Sequence, residues 1–201
     1  HGIGRRQRQM CIRDSKMHDR WVAEVAIGTD TSQKLSYSAL LGVRQEELSD
    51  WTIRSSLGVT YTPSDRFSFE LDLNYFQRDG WLLHDQDRLM ATYEAGDFQP
   101  RLGVDIFFTA KQQLRLSVQW AAIRAQEQDF YLIPEGGGTL DPVADPVAAG
   151  IVTSTNGDFA LSRLTTQLRY RWEIGPLSDF FLVYTRAVSY THLRAHETVR
   201  N

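Results

Sequence analysis

The stretch Arg163-Leu-Thr-Thr-Gln-Leu-Arg-Tyr-Arg-Trp-Glu-Ile174 separates two kinds of side chain by a period of two. Its even-numbered positions carry Leu, Thr, Leu, Tyr, Trp and Ile, and its odd-numbered positions carry Arg, Thr, Gln, Arg, Arg and Glu. A helix would scatter these residues around its axis, whereas a strand sorts them onto two faces. The stretch therefore predicts a β-strand with one apolar face and one charged face.

The same alternation recurs along the chain. It is clear in Arg66–Phe76 and Leu114–Ala122, and weaker in Trp51–Tyr61 and Arg101–Phe108. The pattern predicts an all-β fold, an antiparallel meander of about eight long strands. Their expected positions are 20–28, 35–45, 51–61, 66–77, 91–108, 113–126, 158–174 and 178–187.

The strand expected at 91–108 contains Gly96 and Pro100. Proline has no N–H to give to a ladder, so we expect a bulge within this strand. If it stays one strand, the short connections at 62–65, 109–113 and 175–179 all lie at one end of the sheet.

Two connections, 78–90 and 127–157, are expected to be long loops at the opposite end. Short turns at one end and long loops at the other are typical of outer-membrane barrels. Several expected strands also reach the roughly 9–11 residues that a tilted spanning strand needs, whereas soluble strands typically have about 5–6. The sequence therefore predicts a partial or small outer-membrane-type β-barrel in the bacterial outer membrane, with membrane lipid as its partner. A soluble sheet also alternates, so a carbohydrate-binding β-sandwich is the alternative.

Two sets of residues follow from this interpretation. Aromatic residues near strand ends suit the membrane–water interfaces, and the charged face suits a lumen, where an arginine ladder would pair with carboxylates or favour anionic solutes. The expected interfacial aromatics are Trp51, Tyr61, Trp120, Trp172 and Tyr184. The expected lumen-facing charged residues are Glu70, Asp72, Asp105, Arg115, Arg163, Arg169, Arg171 and Glu173.

Both ends of the chain resemble translated sequencing-adapter sequence. We expect residues 1–15 and 188–201 to be adapter-derived and disordered, and 16–187 to be the barrel fragment. This interpretation removes the single cysteine, Cys11, from any disulfide argument. It also removes a possible metal cluster in the last segment, formed by His192, His196 and Glu197.

Residues 16–187 carry a net charge of −7, against −3 for the whole chain, because the two ends hold six arginines, one Asp and one Glu. An acidic chain argues against a nucleic-acid partner.

The stretch Leu164–Arg186, above all Arg-Tyr-Arg-Trp-Glu at 169–173 and the Pro-Leu-Ser-Asp that follows it, resembles an uncharacterised bacterial family. Residues 76–82 and 113–120 resemble the same family. Its members join an N-terminal carbohydrate-binding-like domain to a C-terminal outer-membrane β-barrel. The resemblance implies that this chain is barrel sequence. It assigns no reaction and no catalytic residue.

No enzyme motif stands out in residues 16–187, and we expect no catalysis and no cofactor. Glu70 and Asp72 share one strand face and suggest a glycosidase pair, so a barrel hydrolase is a lesser alternative. His84, Asp85 and Asp87 form a polar cluster that we interpret as a solvated loop rather than a metal site. The expected role is transport, envelope architecture or substrate display.

Overall fold

A computed structural model describes residues 20–151 and 157–193. Within these ranges, nine strands form one antiparallel sheet. The strands are β1 (Val22–Gly28), β2 (Leu35–Gln45), β3 (Trp51–Ser64), β4 (Phe67–Gln86), β5 (Leu89–Thr109), β6 (Gln112–Leu132), β7 (Asp141–Val143), β8 (Phe159–Gly175) and β9 (Ser178–Leu193).

Eight of the strands pair in chain order, β1-β2-β3-β4-β5-β6-β8-β9, and the short β7 pairs only with β6. The predicted all-β meander is confirmed. Strands β1 and β9 do not pair with each other in the described part of the chain, so this sheet is not closed into a barrel. No helix within residues 20–151 and 157–193 is long and apolar enough to cross a membrane.

The register sorts side chains onto the two faces that the alternation predicted. On one face, Leu57 pairs with Leu73 and Leu116 pairs with Leu168. We call this the apolar face. The side chains of the other face, such as Asp72 opposite Arg101, form the polar face.

Most of the apolar face is not covered by other residues. Val25, Leu57 and Leu182 are 70%, 56% and 61% exposed. A sheet that buries one face in a protein core would shield such residues. The fold therefore leaves a continuous apolar surface across the strands from β1 to β9.

Strand β5 is unbroken, as predicted, but its bulge lies elsewhere. Pro100 stays in register opposite Leu73. The register against β6 shifts between Ala91 and Tyr93, where the extra residue is on β6, and between Phe107 and Thr109, where it is on β5. The β5–β6 pairing omits Gln99 and Pro100 without any change of register. The missing proline N–H explains this local gap, because no donor is available there.

The long loop expected at 78–90 is wrong. Strand β4 continues to Gln86 and β5 begins at Leu89, leaving a two-residue turn. Strand β6 likewise continues to Leu132, into the segment expected to be loop. The three central strands thus extend about 25 Å beyond their neighbours, given eight residues at about 3.3 Å each.

This extension, residues 79–95 and 125–132, has its own small core. Ala91, Tyr93, Ala95 and Ala125 are buried, and partly buried apolar residues pack against them. These partly buried residues are Trp81, Leu83, Phe130 and Phe159. The period-two pattern is interrupted here because the register shifts between Arg78 and Trp81 and again between Ala91 and Tyr93. Those shifts explain why the sequence pattern missed the extension.

The last strand is longer than expected. Strand β9 pairs with β8 through Leu193, where it faces Phe159. Disorder was expected from 188 onward, and this expectation is wrong for the six residues 188–193. Residues 1–15 and 194–201 lie outside the described ranges. The adapter origin of both ends stays a prediction.

The β8–β9 turn contains a strained residue. Pro176 and Leu177 occupy its centre, Leu177 has a φ of 62°, and its side chain is fully exposed. A proline followed by a positive φ is the geometry of a type II turn, which favours glycine at the second position. Leucine there carries a conformational cost without a compensating contact.

We predict that Leu177→Gly stabilises the protein by about 1 kcal/mol, because glycine accepts the positive φ without a Cβ clash. The free energy of unfolding would be measured by denaturant titration followed by tryptophan fluorescence. Leu177→Ala is the matched control, since it removes the same exposed side chain but keeps the Cβ. Equal gains from both variants would contradict the explanation.

Candidate functional site

The five expected interfacial aromatics all lie on the apolar face. Tyr61 pairs with Leu35 and Phe69, and Tyr184 pairs with Leu168, in the same row of the sheet. All five side chains are partly exposed, between 41% and 56%. They are Trp51, Tyr61, Trp120, Trp172 and Tyr184.

Trp51 and Trp172 lie at opposite ends of the sheet. Trp51 begins β3, at the end of the sheet from which the extension projects, whereas Trp172 lies near the two-residue turn that follows β8. Trp120 lies between them and donates its indole N–H to Ser162 Oγ at 2.9 Å. That bond satisfies its one polar group within an apolar surface.

The polar face carries a groove of about 820 Å³ lined by residues from β1 to β8. These two strands are six steps apart in the sheet, about 29 Å if the sheet were flat. Because they line one groove, the sheet curves around its polar face. Across the groove runs one row of register partners. The row consists of Ser38, Gly58, Asp72, Arg101, Gln119 and Thr165.

Glycines on the polar face make room for carboxylates. A Cβ at Gly58 would lie 3.2 Å from Asp72 Oδ1, and a Cβ at Gly42 would lie 2.9 Å from the Glu24 side chain. Gly103 similarly faces Glu70 at 3.6 Å. The Asp72 carboxylate therefore leans toward β3 and away from its other register partner on β5.

Two of the predicted arginines are neutralised by ion pairs. Arg115 donates to both oxygens of Asp105 at 2.8–3.0 Å, and Gln113 donates to Asp105 Oδ1 at 2.8 Å. Arg171 donates to both oxygens of Asp179 at 3.0 and 3.1 Å. Fork-like pairs of this kind are the strongest and most directional charged contacts.

Asp179 was not among the predicted residues. It lies opposite Glu173, directly after the β8–β9 turn, on the same face as Arg171. The short turn at 175–179 is the sequence signal that would have found it, because a tight hairpin brings these positions together.

Other predicted charges have no partner in the described residues. Arg163 and Arg169 make no ion pair there. Arg101, which was not among the predicted residues, makes none either. Arg169 lies directly opposite Arg115 in the register. Like charges in this position are unfavourable, and the Arg115–Asp105 ion pair reduces that cost. Within the groove itself, the unpaired positive charges are Arg101 and Arg163.

A second set of polar contacts crosses the face toward the extension. Arg78 lies over the rings of Phe76 and Trp81, 5.3 and 4.9 Å from their centroids, and 3.4 Å from Asp97. Asp97 is buried and also accepts from Gln99 at 2.9 and 3.0 Å. These contacts join β4 to β5 where the groove meets the extension core.

The structure also gives the positions of the carboxylate pair and the polar cluster that the sequence analysis considered. Glu70 and Asp72 lie on the polar face, each against a glycine, and both are exposed. His84 lies near the tip of the extension, with Nε2 2.9 Å from the Asp87 carbonyl oxygen. Across the described ranges, no three His, Cys, Asp or Glu side chains are arranged to hold a metal ion.

Glu46 is the most deeply buried carboxylate outside the strands. It lies in the β2–β3 turn, is 3% exposed, and accepts hydrogen bonds from the Thr52 hydroxyl and, at 3.0 Å, from Arg44. Burial alone would raise its pKa, but the Thr52 and Arg44 contacts outweigh burial and hold the pKa of Glu46 below its ordinary value. The ionised carboxylate therefore stabilises this turn.

We predict that Glu46→Gln costs about 1–3 kcal/mol of stability at pH 7, because it replaces charged hydrogen bonds. The folded pKa lies below the ordinary 4.5, so the benefit is present above that pH and disappears as pH falls through the folded value. Denaturant titrations from pH 7 to pH 3 would show the variant and wild type converging in acid. Glu135→Gln, at a highly exposed position, is the control expected to change stability little at any pH.

No curated protein and no solved structure matches this chain. A family model does match, over residues 5–201, which is nearly the whole chain. The chain belongs to the family described as a domain of unknown function, DUF5916.

Proposed function

We propose that this chain forms part of the wall of a bacterial outer-membrane β-barrel. Its apolar face would lie against lipid acyl chains and its polar face would line the lumen. The observation that carries the proposal is the uncovered apolar surface, which runs across eight paired strands. Soluble monomers rarely expose contiguous apolar patches of more than a few hundred Å².

The height of the apolar surface suits a bilayer. On β8, apolar positions extend from Leu164 to Ile174, about 34 Å along the strand at about 3.4 Å per residue. A tilt of about 40° reduces this to a height of about 26 Å, close to the apolar band of about 25 Å on outer-membrane barrels.

The topology is also compatible with a barrel. Eight strands in a meander place β1 and β9 antiparallel to each other, so the two free edges have the directions needed to pair directly. An even number of further strands between them would preserve the same relation. Either arrangement would remove exposed edges, which otherwise invite aggregation.

The extension defines the two ends of the proposed barrel. Two-residue turns connect β3 to β4, β5 to β6 and β8 to β9 at one end, and the extension projects from the other. In outer-membrane barrels the short turns face the periplasm. The extension would then project outside the cell, which suits a role in transport, envelope architecture or display of a substrate. The family resemblance implies that the full-length protein also has an N-terminal carbohydrate-binding-like domain.

We predict that lipid tails contact specific tryptophans. Trp120 and Trp172 lie on the apolar face, whereas Trp81 packs inside the extension core. Single-tryptophan variants, with the others replaced by Phe, would be refolded into vesicles of brominated phosphatidylcholine. Trp120 and Trp172 fluorescence should be quenched and Trp81 fluorescence should not. Equal quenching of all three, or none, would overturn the proposal in favour of a soluble sheet.

Neighbouring positions on β6 give a second test. We predict that Leu116→Arg impairs folding into vesicles by about 2–4 kcal/mol, because it places a charge against lipid. Ser117→Arg, one residue along and on the polar face, should be tolerated within about 0.5 kcal/mol. Folding would be measured by urea titration in the vesicles. A larger cost at Ser117 than at Leu116 would contradict the assignment of the faces.

A further inference from the structure

We propose that Arg101 and Arg163 form a binding site for the anionic group of a polar solute, a carboxylate or a phosphate. The inference rests on the proposed function, since it assigns a ligand class to the face that would line the lumen. Both residues line the groove on the polar face. Neither makes an ion pair with a carboxylate in the described ranges.

The register brings the two guanidinium groups within reach of one anion. Arg101 pairs with Gln119, Gln119 pairs with Thr165, and Arg163 lies two residues before Thr165 on β8. Two strand spacings and one two-residue step place the two arginine Cα atoms about 12 Å apart. Ala121 lies opposite Arg163, and its small side chain leaves room between the two arginines. Arginine side chains are long enough that, extended into this gap from both strands, they can hold one anion.

The carboxylate nearest in register does not neutralise this site. Asp72 lies opposite Arg101, yet its Oδ1 atom is directed toward Gly58 on β3 and the two side chains form no ion pair. Glu70 also lies on β4, against Gly103. The groove lining therefore has the Asp72 carboxylate on β4 and two unpaired arginines, Arg101 on β5 and Arg163 on β8.

Neutral polar groups complete the surroundings. Gln119 and Thr165 lie between the two arginines, and Ser56 and Asn74 line the same groove toward β3. Amide and hydroxyl groups can donate to and accept from solute hydroxyls. The arrangement suits a hydroxyl-rich solute with one anionic group, whereas the Asp72 carboxylate on β4 would repel a solute with several negative charges.

The experiment is arginine modification with phenylglyoxal on the full chain refolded into phosphatidylcholine vesicles, followed by peptide mass spectrometry. Glucuronate and inorganic phosphate are the anionic probes, and glucose and chloride at equal ionic strength are the controls. We expect at least one anionic probe to slow modification of Arg101 and Arg163 about fivefold, while glucose and chloride do not. Protection by glucuronate alone would identify a sugar carboxylate, and protection by phosphate alone would identify a phosphate.

Variants separate this site from general screening. Arg101→Gln should abolish the protection of Arg163, and Arg163→Gln that of Arg101, because both are needed to hold the anion. Arg171→Gln, which removes an arginine already paired with Asp179, should leave the protection unchanged. Absence of protection, or equal protection by chloride, would overturn the inference.

The brominated-lipid quenching of the single-tryptophan variants, measured alongside the modification experiment, separates the two proposals. Normal quenching with no anion protection would reject the anion site and leave the barrel proposal standing. Protection without quenching would reject the membrane placement and leave the anion site standing.

Discussion

The structure depends on one constraint: the apolar side of every long strand must be removed from water, and no second layer of the described chain does so. Leu57, Val25 and Leu182 lie on three different strands and each remains more than half exposed. Burial of such side chains is the main favourable term in folding. A sheet of this kind is therefore only half of a hydrophobic core, and the proposed lipid contact would supply the other half.

The same constraint explains why the paired charged residues lie on the polar face. In the proposed barrel the polar face would turn away from lipid, and water in the lumen would solvate what ion pairs such as Arg115–Asp105 and Arg171–Asp179 leave unsatisfied. Small residues on that face, such as Gly58 beside Asp72, let the strands curve without crowding. The polar face thus carries both the ion pairs that brace neighbouring strands and the unpaired Arg101 and Arg163 of the proposed anion site.

The central extension is stabilised in a different way from the rest of the sheet. Where β4, β5 and β6 project past their neighbours, they are no longer part of the apolar face that the other strands form together. A local core around Tyr93 and Ala125 replaces that surface. Tyr93 donates to Glu127 at 3.2 Å, and Glu127 accepts from the Gly157 backbone at 2.9 Å. These hydrogen bonds connect the segment before β8 to the extension and stabilise the three projecting strands where they leave the sheet.

The sequence by itself determined the strand type, the meander and the two faces, because a period of two is a local property that the backbone converts directly into sides of a sheet. It also identified Asp105 and Arg115 as residues of one face. Only the tertiary structure decided that 78–90 forms a hairpin of two strands, that Asp179 neutralises Arg171, and that Arg101 and Arg163 share one groove. Register shifts and cross-strand neighbours depend on how distant segments pair, and no local pattern carries that information.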